Sequence, residues 1–142
     1  MSSKQQKRLF IIDGYATLYR AHYALIRNPL TNTAGTPTSA VFGFANQVFQ
    51  LIEDEKPDYL VAAFDSKGKN FRHELYTDYK ANRSAMPDEI QTQLPYLWEL
   101  LGAMNIPILR VGGVEADDII GTVAKMCDKE NLQCNIVSGD KD

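Results

Sequence analysis

The sequence predicts an α/β domain built on a parallel β-sheet. Three observations predict it. Compact apolar runs of strand length recur along the chain, stretches with helical apolar periodicity lie between them, and the runs close on an acidic residue or a glycine turn. Strands alternating with helices imply a sheet covered on both faces. Ligands of such sheets bind at the carboxyl ends of the strands.

Each element follows in order. Arg8 to Ile12 is a short apolar run closed by Asp13-Gly14 and reads as a buried strand. Tyr15 to Ile26 reads as a helix. Residues 28–37 are rich in Asn, Thr, Gly and Pro and read as a loop. Thr38 or Ser39 can cap a second helix running to about Asp54, with Val41, Phe44, Val48, Leu51 and Ile52 on its inner face. Pro57 closes that element, and Tyr59 to Phe64 is a second buried strand terminated by Asp65. Residues 66–86 are irregular, polar and aromatic.

Pro87 with Asp88 and Glu89 marks the next helix start. That helix carries Ile90, Leu94, Leu97, Trp98 and Leu101, with a kink expected at Pro95. Ile106 to Val111 is a third strand. Glu115 to about Glu130 is a helix with Ile119, Ile120, Val123 and Met126 inward. Gln133 to Val137 is a fourth strand. It is expected at the centre of a complete sheet and so to lack here a partner on one side.

The chain has 142 residues, 44% apolar and 23% charged, which is one domain's worth or part of a larger one. No run approaches a membrane span, and no apolar stretch follows the polar N-terminus as in a signal peptide. Cys127 and Cys134 make neither a disulfide framework nor a zinc spacing, so a reducing cytoplasm is expected. The net charge of -3 by itself argues against a nucleic-acid partner.

The strand ends carry the chemistry. Asp13 follows the first strand and Asp65 the second. Glu115, Asp117 and Asp118 follow the third, after the Gly112-Gly113 turn, and Asp140 and Asp142 follow the fourth. Taken singly, an acid there is as well explained as a turn former, a helix cap or a partner of a helix dipole. Recurrence at all four ends points elsewhere. Carboxylates gathered at one edge repel, and a hard divalent cation such as Mg²⁺ or Mn²⁺ relieves the repulsion. The set is large enough for two ions, the arrangement that stabilises attacking and leaving oxygens in phosphodiester cleavage.

The segment from Lys67 to Arg83 reverses the charge. Lys67, Lys69, Arg72, Lys80 and Arg83 outnumber Glu74 and Asp78 there, and Phe71, Tyr76 and Tyr79 are interleaved. Cations neutralise phosphates and aromatic rings stack on unpaired bases. A solvated charged loop is the plain alternative.

Other site types lack their residues. There is no GxGxxG or GxSxG, and Gly68-Lys69-Asn70 lacks the rest of a phosphate-binding loop. His22 and His73 have no nucleophile partner. His22, on a helix with Tyr15, Tyr19 and Tyr23, reads as a packing residue.

Five ordered segments together resemble a known family. They are Leu9-Phe10-Ile11-Ile12-Asp13-Gly14 with Tyr19-Arg20-Ala21; Ala63-Phe64-Asp65; Phe71-Arg72-His73-Glu74 with Tyr79-Lys80-Ala81-Asn82-Arg83; Gly113-Val114-Glu115-Ala116-Asp117-Asp118; and Ser138-Gly139-Asp140-Lys141-Asp142. The chain resembles the N-terminal 5'-3' exonuclease domain of bacterial DNA polymerase I and, more broadly, the flap endonucleases. The resemblance implies a PIN-like, resolvase-like parallel-sheet fold. It implies hydrolysis of DNA or RNA-primer phosphodiesters near 5' ends, in replication and repair, with two divalent ions. It assigns Asp13, Asp65, Glu115, Asp117, Asp118, Asp140 and Asp142 to the metals. It assigns Lys80 and Arg83 to the scissile phosphate, and Tyr79, Arg72 and Arg20 to DNA contact. A basic helical arch is expected over about 67–95.

The family's pattern continues past Asp142 with more metal-site acids, a helical clamp for duplex DNA and, in the parent, a polymerase domain. The chain is therefore expected to be an N-terminal part of that domain, truncated on its C-terminal side and weak or inactive alone. Two rival readings remain. One is a metal-dependent small-molecule phosphatase or phosphoacceptor domain, which needs one nucleophilic Asp rather than seven acids and an arch. The other is a non-catalytic PIN-like nucleic-acid-binding module.

Overall fold

The computed structural model describes residues 6–65 and 87–138. Of the arch expected over about 67–95, residues 67–86 lie outside the described residues, as do the acids Asp140 and Asp142. The described elements are β1 (Arg8–Asp13), α1 (Gly14–Ala24), α2 (Ser39–Glu55), β2 (Tyr59–Ala63), α3 (Asp88–Gln91), α4 (Leu94–Ala103), β3 (Ile108–Leu109), α5 (Ala116–Lys129) and β4 (Gln133–Val137).

The strands form one parallel sheet in the order β3-β2-β1-β4. Asp13 pairs with Ala63, and Ile12 pairs with both Ala62 and Val137. The chain steps outward from β1 to β2 to β3, then returns to the other side of β1 with β4. Stepping direction thus reverses at β1, which puts a topological switch point between β1 and β4. Among the described residues β4 pairs with β1 alone.

Parallel crossovers are right-handed, so a reversal of stepping direction moves the connecting helix to the opposite face. Helices α1, α2 and α4 cover one face, around Ile12, Leu18, Phe44, Val48, Phe64, Leu97 and Leu101. Helix α5 covers the other, where Ile119 and Ile120 meet Ile11 and Ala63. Period-2 alternation assigns Ile12 and Ala62 to the first face and Ile11 and Ala63 to the second. The expectation of a sheet covered on both faces holds. Among the described residues no helix is long and apolar enough to cross a membrane.

Several element-level expectations are corrected. Met126 is 59% exposed and Cys127 only 3%, because the buried stripe of α5 runs 119, 123, 127. Ile52 is 39% exposed, since Phe44, Val48 and Leu51 already occupy the inner face of α2. The third strand is two residues long, and Pro107, which has no N–H to donate, sits just before it.

Pro95 does not kink one helix. The segment breaks at Thr92-Gln93 into α3 and α4, and the proline sits in the first turn of α4, where its missing N–H costs nothing. Gln93, buried at the break, accepts a hydrogen bond from the Val41 amide at 3.0 Å and donates one to the Glu89 carbonyl at 2.6 Å. This long-range bond satisfies an amide of the first turn of α2 that a local cap would otherwise take. Neither expected cap does so: Thr38 makes no side-chain cap bond, and the Ser39 hydroxyl instead accepts from the Leu30 amide at 2.7 Å.

Candidate metal centre

Asp13 is the last residue of β1 and the N-cap of α1. The strand-to-helix turn is abrupt because Gly14 packs flat on Phe64; a Cβ at Gly14 would enter the Phe64 ring. Asp65 follows β2 by two residues, beside Asp13 through the Asp13–Ala63 pairing. Glu115 is the N-cap of α5, with Asp117 and Asp118 in its first turn. The described acids therefore share the carboxyl edge of the sheet, as their places in the sequence predict.

The plain reading of these acids as helix caps fails for two and holds for a third. Neither Asp13 nor Glu115 makes a side-chain cap hydrogen bond, although both stand at N-cap positions. The N-terminus of α5 is held instead by Asp65, whose Oδ1 accepts from the Ala116 amide at 2.6 Å. Asp65 thus ties the β2 end to the helix that carries Glu115, Asp117 and Asp118. Asp117 is exposed, whereas Asp13, Asp65, Glu115 and Asp118 are half-buried.

The donor chemistry fits a hard cation, since every donor is a carboxylate oxygen. Among the described residues, however, no three His, Cys, Asp or Glu side chains come close enough together to hold a metal ion. Asp140 and Asp142, which come after β4 in the sequence, lie outside the described residues, as do Arg72, Tyr79, Lys80 and Arg83. Arg20 is described, and it is exposed on α1.

A second feature of this edge was not legible in the motifs. The Tyr15 ring meets Phe64 edge-on at 5.0 Å between centroids, and Phe64 meets Trp98 edge-on at 4.8 Å. The Arg110 guanidinium lies 4.5 Å over the Trp98 ring. Burial raises the Tyr15 hydroxyl above its usual range; the Arg110 charge opposes that rise and the Asp65 charge adds to it. From the sequence alone Arg110 falls inside a third strand running to Val111, so nothing there flags it; the structure ends that strand at Leu109. His22 is buried edge-on against Tyr23, as a packing residue should be.

A groove of about 570 Å³, lined by residues including Ile52, Lys56, Asp58 and Ile106, opens at the amino ends of the strands. It touches none of the candidate acids.

Residues 8–142 match the family model described as the 5'-3' exonuclease N-terminal resolvase-like domain. A DNA polymerase I of Caldicellulosiruptor bescii is 45% identical over 135 residues, covering 95% of this chain and 16% of that protein. A 5'-3' exonuclease of Aquifex aeolicus is 40% identical over 136 residues, covering 96% of this chain and 46% of that protein. The chain therefore spans less than half the length of either relative. Among solved structures, a T5 5'-exonuclease with bound zinc superposes with a TM-score of 0.63 at 19% identity, over 94% of this chain and 49% of that one. A T5 flap endonuclease in complex with DNA and metal ions gives 0.61 at 19%, with the same two coverages. At such identity these structures establish the fold.

Proposed function

Because the chain belongs to the family of 5'-3' exonuclease N-terminal resolvase-like domains, we propose that it is the metal-binding half of a nuclease that hydrolyses phosphodiester bonds near DNA 5' ends. The observation that supports this most is the shared carboxyl edge of Asp13, Asp65 and Glu115, with Asp65 linked to α5. The substrates are 5'-flap or 5'-ended DNA and RNA primers on DNA. The site of action is the cytoplasm, and in the parent protein a polymerase domain follows.

Asp13, Asp65, Glu115, Asp117, Asp118, Asp140 and Asp142 would hold two Mg²⁺ or Mn²⁺ ions. When bound, such ions supply a nucleophile from water at neutral pH and neutralise charge on the phosphate. The chain's own part is to orient. β1 and β2 fix Asp13 and Asp65 side by side, and the cap bond to Ala116 sets the start of α5 against them. Lys80 and Arg83 offset negative charge at the scissile phosphate, and Arg72, Tyr79 and Arg20 bind the strand. The seven acids leave no role for a protein nucleophile, and water attack that expels the 3' oxygen leaves a 5' phosphate on the product, as the family resemblance implies.

The test compares a 5'-flap DNA, with Mg²⁺, against this chain and a version extended to the length of the Aquifex relative. The extended protein should cleave it, and this chain should cleave weakly or not at all. If the extended Asp117→Ala, Asp140→Ala protein cuts as well as the unsubstituted one, the metal assignment is wrong. Hydrolysis of a generic phosphomonoester with no action on DNA would replace the nuclease reading with a phosphatase one.

A further inference from the structure

We infer that Arg110 is a phosphate-contacting residue at the β3 side of the carboxylate edge, held in place over Trp98 to take a backbone phosphate of the bound nucleic acid. The inference rests on the DNA reading above and adds to it a residue outside the basic segment. Arg110 follows β3 directly, and β3 pairs with β2, whose continuation carries Asp65. It therefore flanks the acids on the side away from β4.

Its mount is rigid. Phe64 is fully buried, Trp98 stands edge-on against it, and the guanidinium covers the indole face. A guanidinium held by its face keeps its in-plane N–H donors for an anion, and those donors match phosphate oxygens two at a time. An arginine serving only to neutralise the acids would pair with one of them. Among the described residues Arg110 has no carboxylate within ion-pair distance, and it is exposed. Asp65 nonetheless lies in the same electrostatic neighbourhood, since both charges act on the Tyr15 hydroxyl. An edge of carboxylates repels a polyanion, and one fixed cation beside it gives the backbone a point of attachment.

The test uses the chain as it is and needs no cleavage. A labelled 5'-phosphorylated single-stranded oligonucleotide is titrated in Ca²⁺ at several salt concentrations, and emission of Trp98, the single tryptophan, is followed. Arg110→Gln should weaken binding about fivefold at low salt and lower the slope of log K against log salt by about 0.7, the value of one lost single-strand phosphate contact. Arg110→Lys should restore the slope without the full affinity. Saturation should change Trp98 emission in the unsubstituted chain and not in Arg110→Gln. Unchanged affinity and slope in a folded Arg110→Gln overturn the inference and leave the DNA reading standing. A folded unsubstituted chain that binds no oligonucleotide overturns the inference, while flap cleavage by the extended protein decides the DNA reading separately. If Arg110→Gln does not fold, the unsubstituted chain decides: constant Trp98 emission through saturation overturns the inference.

Discussion

Asp65 Oδ1 and the Ala116 amide are joined by a hydrogen bond of 2.6 Å across 51 residues of sequence, which closes the end of β2 onto the start of α5. One carboxylate thus serves two ends: it caps a helix and it stands among the candidate metal ligands. The two roles separate by substitution. Asp65→Asn keeps an acceptor for Ala116 and removes the charge, whereas Asp65→Ala removes both. Asp65→Ala should lose about 1–2 kcal/mol of stability, the usual worth of an N-terminal helix cap, and Asp65→Asn markedly less. Both should lose divalent-cation affinity. Thermal unfolding in chelator reads the first effect, and calorimetric Mn²⁺ titration of the extended protein reads the second. Equal melting temperatures for the two variants would remove the cap role.

Gln93 should behave as a core residue although it is polar. It is 1% exposed and bonds the Val41 amide and the Glu89 carbonyl at once. Gln93→Leu fills similar space but strands the Val41 amide, while the Glu89 carbonyl keeps the Thr92 hydroxyl at 3.2 Å. The expected loss is about 2 kcal/mol, within the range for an unsatisfied buried polar group. Gln93→Glu keeps the acceptor but sets a buried carboxylate against the Glu89 carbonyl, and should lose at least as much at neutral pH. Chemical denaturation with an unchanged m-value checks the series.

Gly14→Ala tests how tightly α1 is pressed against the sheet. The added methyl would enter the buried Phe64 ring, which is itself wedged between Tyr15 and Trp98. Overpacking of this kind costs about 1–3 kcal/mol. Because Phe64 supports the Tyr15 and Trp98 rings, near-ultraviolet circular dichroism should change along with the melting temperature. Gly102→Ala, at a position with open space around it, is the control and should be neutral or slightly stabilising.

The alternation of strand and helix, the parallel sheet and the four strand-end positions were legible because they depend on local periodicity. β1 and β4 match the expected limits to within one residue. What escaped depends on which of two adjacent residues turns inward. Met126 and Cys127 are both plausible at the end of an apolar stripe, and only packing of α5 against β1 and β4 selects Cys127. Gln93 escaped because its bonds reach another helix, 52 residues away for Val41. In the candidate site the shared sheet edge of Asp13, Asp65, Glu115, Asp117 and Asp118 was legible from their positions in the sequence. The division of labour was not. Nothing local distinguishes Asp65, which caps a helix other than the one nearest to it in sequence, from Asp13, which occupies a cap position without capping. Arg110 escaped because its partner, Trp98, lies on a different element.

Cys134 gives a pH prediction with a definite sign. Burial first, and then the neighbouring Cys127 thiol through charge and a hydrogen bond, push its pKa from 9.0 up to about 11. The folded chain therefore keeps this thiol protonated where the unfolded chain ionises it. The contribution to stability is fully present below about pH 9 and is lost as pH rises toward 11. Tyrosines and lysines titrate in the same window, so the comparison is with Cys134→Ala: the unsubstituted chain should lose more stability than the variant between pH 8.5 and 10.5, a window of about two units set by the shift itself. Cys127→Ala should reduce the difference without abolishing it, because burial is the larger cause. Alkylation by iodoacetamide offers an independent reading, since the thiolate is the reactive form. Modification of Cys134 in the folded chain should be slow at pH 8.5 and accelerate only above pH 10, while the urea-unfolded chain reacts quickly at both. Rapid alkylation of folded Cys134 at pH 8.5 would show that α5 and β4 do not hold the two thiols together.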